Sequence, residues 1–274
     1  GVGISPRVAL NYHITPGRTL RGSVSKGMRT PALLEEYANS FVYAGNLTSL
    51  PGTPIPIWYY GSAGNLRPES ITSYEIGYLF EFPARGLSAD FRLYQDYISD
   101  LIAYPENMDG SAAGSSEPFN LFINNGTASI GGFEVDLQAR TSENSRFSFT
   151  YAYARSNTDL NYQYNTTPTN ITISQATPSQ TVGFLGSYKF TNRVEVNLGI
   201  YYVGAMLWID AGSVNRDYTK VDLRIAQKFK TASANGTIEF IGQNLAGQYF
   251  DHNPAAMLDR RFYIRLRMQA KQDK

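Results

Sequence analysis

The aromatic side chains of two long loops are the residues of this sequence best suited to holding a ligand. The segment PIWYYGSAG places Trp58, Tyr59 and Tyr60 in the longest loop, and Trp208 lies in a second one. Flat aromatic rings bind catechols, sugars or porphyrins by stacking, and their faces attract cations. Packing between loops, or a position at the edge of a membrane, would suit the same rings. Both interpretations stay open.

The two histidines do not predict a metal site. Metal sites usually need several clustered ligands, whereas His13 and His252 lie far apart in a chain that has no cysteine. His252 falls in a loop, where it is a further candidate for ligand contact, and an axial role toward haem is a weaker alternative. We therefore predict no metal site and no cofactor.

The sequence also lacks the signals of an enzyme or of a nucleic-acid-binding protein. It has no Gly-x-Ser-x-Gly elbow, no phosphate-binding Gly-Lys loop and no His-Glu-x-x-His pattern. Its formal net charge is +1, which predicts no electrostatic attraction to nucleic acid. We predict that the protein is not an enzyme.

The elements that must position the loops are β-strands. In FEVDLQAR, apolar and polar residues alternate from Phe133 to Arg140, which is typical of a strand with one apolar and one charged face. About eleven segments read this way, and no convincing helix or apolar run of transmembrane-helix length is found. The predicted strands span residues 7–14, 19–27, 72–82, 87–104, 124–141, 146–154, 181–190, 194–204, 218–229, 236–245 and 260–270.

The connections between these strands alternate in length. Turns of about 3–5 residues alternate with loops of about 13–45 residues, so all tight turns fall on one side of the sheet and all long loops on the other. Most strands are about 9–13 residues long, which is near the length that crosses a bilayer at a tilt. A sandwich of two sheets gives no reason for this asymmetry, whereas membrane barrels show it routinely.

Aromatic residues mark both ends of the predicted strands, as expected at the two surfaces of a membrane. Tyr151, Tyr153 and Tyr202 lie at the loop ends. The residues at the turn ends are Phe80, Phe82, Tyr188, Phe190 and Phe229.

We predict an all-β fold, an antiparallel transmembrane β-barrel with its apolar face on lipid, its polar face on a lumen and its tight turns in the periplasm. A closed barrel entered from the periplasm needs an even number of strands. Eleven is odd, so the chain is expected to form an incomplete barrel.

Five stretches resemble the TonB-dependent outer-membrane receptors in the order in which that family carries them. The first is SPRVALNYHI, and the second, SKGMRTPALLEEY, carries an Arg-x-Pro-x-x-x-Glu pattern. The matching residues of the other stretches lie in LRPESITSYEIGY, NNGTASIGGFEVDL and IGQNLAGQYF. The motif residues are Arg29, Pro31, Glu35, Leu66, Pro68, Glu69, Tyr74, Glu75, Gly77, Asn125, Gly126, Ala128, Gly132, Glu134, Asn244, Leu245 and Tyr249.

The resemblance implies that residues 1–274 are the C-terminal portion of a 22-stranded barrel of the bacterial outer membrane. It implies energy-coupled uptake of a scarce nutrient, most typically a ferric siderophore. It also implies partners: outer-membrane lipid, the ligand itself, and the TonB energy-coupling complex, acting through a TonB box on a plug domain that this chain does not contain. The completed barrel would be a monomer.

Most motif residues have a structural interpretation. Arg29 and Glu35 are expected to form an ion pair, with direct contact to ligand or plug as the alternative. Glu75 and Glu134 are expected to face the lumen and to pair with arginines. Gly77 and Gly132 are expected to relieve crowding in the sheet.

Two other functions stay open. One is a passive porin or a structural barrel of the outer membrane. The other is a soluble extracellular β-domain that binds sugars or adheres to surfaces.

Overall fold

Eleven strands pair antiparallel in chain order within one sheet in the computed structural model of the chain. The structure describes residues 3–43, 56–62, 64–103, 119–159, 161–163, 170–190, 193–207, 214–251 and 255–270. The strands are β1 Arg7–Thr15, β2 Arg18–Arg29, β3 Glu69–Phe82, β4 Leu87–Ala103, β5 Phe119–Ser142, β6 Ser145–Thr158, β7 Gln180–Lys189, β8 Val194–Val203, β9 Tyr218–Lys230, β10 Ala234–Gln243 and β11 Arg261–Ala270. The predicted number and order of strands are confirmed.

The register of the strands gives the sheet two chemically different faces. Val135 of β5 pairs with Phe91 of β4 and with Tyr151 of β6, so apolar side chains lie side by side. One residue further, Asp136 pairs with Asp90 and Thr150. We call these two sides the apolar face and the polar face. Because side chains alternate along each strand, the pairing between strands determines which residues of every strand lie on each face.

Short connections join the strands at one end of the sheet, which we call the turn end. Pro83–Arg85 form a single 3-10 turn between β3 and β4, and Gly86 closes it with φ of 60°. A side chain at Gly86 would place its Cβ 2.5 Å from the carbonyl oxygen of Arg140, so only glycine fits there.

The opposite end, which we call the loop end, carries structure that the sequence did not predict. The sequence predicts no strand or helix between residues 27 and 72, but this stretch contains helix α1 Leu33–Tyr37 and two short paired strands, Asn39–Tyr43 and Pro56–Ser62. Helix α1 is one turn long, too short to show the period of a helix in sequence. Smaller pairs join Asn161–Gln163 to Asn170–Thr172 and Met206–Leu207 to Val214–Asn215.

No second layer packs on the apolar face within the described residues. Leu93 and Ile76, in strands with neighbours on both sides, expose 60% and 59% of their surface. The buried apolar residues among those described are Ala38, Ala89, Phe122, Leu207, Ala226 and Ala234. A water-soluble sheet would bury such a face in a core, so this one is built to meet another apolar medium or another layer. In the described part of the chain, no helix has the length and apolarity needed to span a membrane.

Candidate functional site: the polar face and the loop end

Arg29 joins two of the family-like motifs at the loop end. Its guanidinium donates to both oxygens of Glu35, each at 2.9 Å, and its Nε donates to Glu69 at 2.5 Å. The predicted Arg29–Glu35 ion pair is confirmed, and Glu69 is a partner that sequence reasoning missed. Glu69 starts the strand that pairs with β2, directly opposite Arg29, so the register would have revealed it.

Glu35 also holds the start of helix α1. Its carboxylate accepts a hydrogen bond from the Ala32 backbone N–H at 2.7 Å. Burial raises the pKa of this carboxyl, but the hydrogen bonds from Arg29 and from the Ala32 N–H lower that pKa more, so it stays below its usual 4.5. Pro31 lies in the connection that leads from β2 into α1.

The next carboxylate, Glu36, fastens the helix to the chain just before β3. It accepts hydrogen bonds from the backbone N–H groups of Asn65 and Leu66, both at 3.1 Å. Asn124 of β5 then holds Arg67 by hydrogen bonds at 2.7 and 2.9 Å, immediately before Pro68. Side chains thus anchor the base of the longest loop to three strands.

Arginines bridge carboxylates along the middle of the polar face. Arg92 lies between Glu75 and Glu134, with its Nε 3.9 and 3.5 Å from their oxygens. Arg21 binds Asp90 with one guanidinium nitrogen, at 2.6 and 2.8 Å. The expected pairing of Glu75 and Glu134 with arginine is confirmed. Which arginine takes part follows from the register, because Arg92 is opposite Glu134.

A second network crosses strands β8 to β11. Glu239 is 1% exposed and accepts hydrogen bonds from Arg224 at 2.5 Å and from Arg265. Arg224 also donates to Glu195 at 3.2 Å. Glu239 on β10 therefore links one arginine on each of its two neighbouring strands. With Glu195, the network connects β8, β9, β10 and β11.

Asn244 and Leu245 form a corner after β10 at the loop end. Asn244 has φ of 55°, and its backbone N–H donates to Asp222 at 2.9 Å while its side-chain amide donates to the Leu258 carbonyl at 2.7 Å. The Leu245 N–H donates to the Val221 carbonyl at 2.7 Å. These two motif residues fix the direction of the chain as it leaves the sheet.

The motif glycines lie where neighbours leave no space for a side chain. A Cβ at Gly132 would be 2.1 Å from the Tyr153 carbonyl oxygen, and one at Gly77 would be 2.4 Å from Nε of Arg21. At Gly132 the close atom is backbone, as expected for a glycine that relieves crowding, whereas at Gly77 all the close atoms belong to the flexible side chain of Arg21. Gly126, which belongs to the fourth motif at the loop end of β5, is also buried.

The proposed ligand contacts lie largely outside the described part of the chain. The backbone at Trp58, Tyr59 and Tyr60 belongs to the short strand Pro56–Ser62, which runs parallel to the start of β5, but the side chains of these three residues are outside the description. Trp208 and His252 are outside the described residues altogether.

His13 pairs with the Thr19 hydroxyl at 2.9 Å on the polar face, near the turn end. Among the described residues, no three His, Cys, Asp or Glu side chains cluster in a way that would hold a metal ion.

Comparison with protein families shows which family this sheet belongs to. The family model "TonB dependent receptor-like, beta-barrel" matches residues 1–245, which is most of the chain. The chain belongs to this family. TonB-dependent receptor barrels are outer-membrane receptors and transporters rather than enzymes. A comparison with curated proteins finds no match.

Solved structures with the same fold are large receptors. The siderophore receptor PirA from Pseudomonas aeruginosa is 16% identical, with a TM-score of 0.63 over 98% of this chain and 42% of that one. The ferric-catecholate import receptor Fiu from K12 E. coli is 15% identical, with a TM-score of 0.67 over 97% of this chain and 34% of that one. The ferric enterobactin receptor PfeA from P. aeruginosa is 15% identical, with a TM-score of 0.65 over 97% and 40%.

At these identities the likeness shows the fold alone. The chain spans less than half the length of these receptors. Its sheet is therefore eleven strands of an antiparallel TonB-dependent barrel, as the sequence predicted.

Proposed function

We propose that this chain is the C-terminal part of the wall of an outer-membrane receptor that imports a ferric siderophore. The observation that carries the proposal is the sheet with two faces. One face exposes large apolar side chains on ten of the eleven strands, and the other carries the carboxylates of the strands, several of them in ion pairs. Such a sheet fits a wall between lipid and a polar lumen. The solved structures of this fold named above are a siderophore, a ferric-catecholate and a ferric-enterobactin receptor, which supports the ligand class.

The ligand is captured at the loop end, which faces the outside of the cell. Trp58, Tyr59 and Tyr60 provide flat surfaces for stacking, and Trp208 and His252 add contacts from two other loops. Pairing of the strand Pro56–Ser62 with the start of β5 fixes the backbone of the three aromatic residues. The ion pairs of Arg29 hold the base of the same loop.

Passage of the ligand uses the polar face and further parts of the receptor. A plug domain fills the lumen, and the TonB energy-coupling complex moves it, so that the ligand passes along the polar face. The motif residues of this chain, from Arg29 to Leu245, keep the wall in shape and do not touch the ligand. The completed barrel acts as a monomer surrounded by outer-membrane lipid.

The test is uptake of a radiolabelled ferric catecholate by cells that make the full-length receptor as their sole route for that chelate. Uptake is expected, and a protonophore should abolish it because the transport is energy-coupled. Uptake that survives the protonophore would favour a passive pore. A receptor that dissolves without detergent would favour an extracellular domain and would contradict the membrane wall.

The role of the loop aromatics has its own matched pair of variants. Tyr59→Ala should weaken ferric-chelate binding about fivefold, since one stacking contact contributes about 1 kcal/mol. Tyr37→Ala removes a tyrosine from helix α1 in the same loop, where it is 74% exposed, and should leave binding unchanged. Equal effects of the two variants would contradict the placement of the ligand on Tyr59.

A further inference from the structure

The apolar face carries charge of one sign only. In the regular parts of the eleven strands as described, every carboxylate lies on the polar face. Three basic residues, however, lie on the apolar face. The strand register places each of them in line with residues of that face. They are Arg18, opposite Phe80; Lys26, in step with Val24 and Met28; and Arg155, opposite Gly131. A charge on a lipid-facing surface is costly at the membrane centre and is tolerated near headgroups.

Arg18 and a fourth cation, Arg85, share an aromatic platform at the turn end. The guanidinium carbon of Arg18 is 5.6 Å from the centroid of the Phe80 ring, and that of Arg85 is 5.3 Å from the centroid of Phe82. The two rings stack on each other with centroids 6.4 Å apart. Each cation is therefore held over the face of a ring by cation–π attraction.

The hydrogen-bond donors of both guanidinium groups have no partner among the described residues and are free to bind another molecule. Arg18 and Arg85 are exposed, and among the described residues neither takes part in an ion pair. Glu81 lies between the two phenylalanines in sequence, but alternation puts it on the polar face. An arginine fork with unused donors suits a phosphate group, which it can bind through two parallel hydrogen bonds.

The surroundings of the platform point to a lipid as the source of that phosphate. Phe82 of the platform and its neighbour Leu87 expose 40% and 37% of their surface, and the apolar face continues from there toward the loop end. A phosphate bound here would have apolar side chains on one flank and the aqueous turn on the other. This is the arrangement of a phospholipid, with its headgroup at the rim and its acyl chains along the sheet.

We propose that Arg18 and Arg85, on the Phe80–Phe82 platform, bind the phosphate of an anionic phospholipid headgroup in the periplasmic leaflet. The site rests on the proposed function only in needing the apolar face to lie in a membrane with its turn end toward the periplasm. It does not depend on which ligand the receptor imports.

The test is native mass spectrometry of the full-length protein in neutral detergent, titrated with phosphatidylglycerol, phosphatidylethanolamine or inorganic phosphate. Phosphatidylglycerol should bind most tightly. The double variant Arg18→Gln/Arg85→Gln should weaken its binding about 25-fold, since each cation near a membrane surface contributes about fivefold. Arg146→Gln removes an exposed arginine at the same end of the sheet but on the polar face, and should change nothing.

Three results would overturn the proposal. They are equal binding of the two lipids, equal effects of the double variant and Arg146→Gln, and inorganic phosphate binding as tightly as phosphatidylglycerol, which would mean a site for free phosphate. If the double variant does not fold, Arg85→Gln alone, in an exposed turn, should still weaken binding about fivefold. Ferric-chelate binding measured on the same sample separates failure of this site from failure of the proposed function.

Discussion

Glu239 is the charged side chain on the polar face that depends most on its partners. It is 1% exposed and lies between Arg224 and Arg265, whose side chains are 31% and 45% exposed. A buried carboxylate is stable only while its charge is matched, and its two arginines would repel each other without it.

We expect Glu239→Gln to lower the free energy of unfolding by about 2 kcal/mol, less than for a fully buried pair because water reaches both arginines. Urea unfolding of the full-length protein in micelles measures this. Glu81→Gln, at an exposed carboxylate on the same face, is the control and should change stability by less than about 0.5 kcal/mol. Equal midpoints for the two variants would show that the Glu239 network does not stabilise the sheet.

Gly132 shows how tightly the polar face packs where two strands meet. A methyl group there would be 2.1 Å from the Tyr153 carbonyl oxygen and 2.8 Å from the Tyr94 hydroxyl. Gly132→Ala is therefore expected to destabilise the protein by about 1–3 kcal/mol through overpacking. Gly22→Ala is the control, because its nearest neighbour would be a carbonyl oxygen at 3.8 Å. Thermal loss of the folded, fast-migrating form on gels compares the two, and a Gly132→Ala variant as stable as Gly22→Ala would refute the crowding.

At the scale of elements, helix α1 is too short to be stable by itself and is stabilised by charged side chains. A helix of five residues has little stability of its own, and its first turn depends on Glu35 and Arg29. The pKa of Glu35 is lower in the folded protein than its usual 4.5. The stabilisation is therefore fully present above pH 4.5 and is lost as the pH falls through the folded value.

Hydrogen exchange at the Glu36 amide, which donates to the Ala32 carbonyl at 3.0 Å, reports on this turn. Protection should fall when the pH drops from neutral to below the folded pKa of Glu35, after correction for the intrinsic exchange rate. In Glu35→Gln, protection should be low at both pH values, so its change with pH should disappear. A variant that keeps the wild-type pH response would show that another group controls the turn.

The strands were predictable from sequence because each hairpin pattern is local. Predicted and observed bounds agree within a few residues for most strands, as for 7–14 against Arg7–Thr15 and 194–204 against Val194–Val203. The larger differences lie at the loop end. There β3 begins at Glu69 instead of residue 72, and β5 begins at Phe119. Those extensions depend on Asn124 and on pairing with Pro56–Ser62, contacts that alternation along one strand does not reveal.

The candidate site was predictable in kind but not in partners. Alternation placed Glu75 and Glu134 on the polar face, and any cation on a neighbouring strand would have satisfied them. Arg92 is the partner because it lies between them in the register, which depends on how three strands align. The loop aromatics remain a prediction, since loop conformation follows from few local rules.

At the scale of the whole molecule, the account depends on where the apolar face lies. Sequence, fold and family membership all favour lipid on that face and water on the other. This chain has no cysteine of its own, so a cysteine introduced in it labels one chosen position of the sheet.

The most direct measurement places a spin label at each of four consecutive positions of β5 in the full-length protein, reconstituted in bilayers. The variants are Val135→Cys, Asp136→Cys, Leu137→Cys and Gln138→Cys. Relaxation by oxygen, which concentrates in lipid, should be strong at 135 and 137, and relaxation by a water-soluble nickel complex should be strong at 136 and 138. Similar nickel access at all four positions, or protection of 135 and 137 from both reagents, would contradict a sheet that separates lipid from a polar lumen.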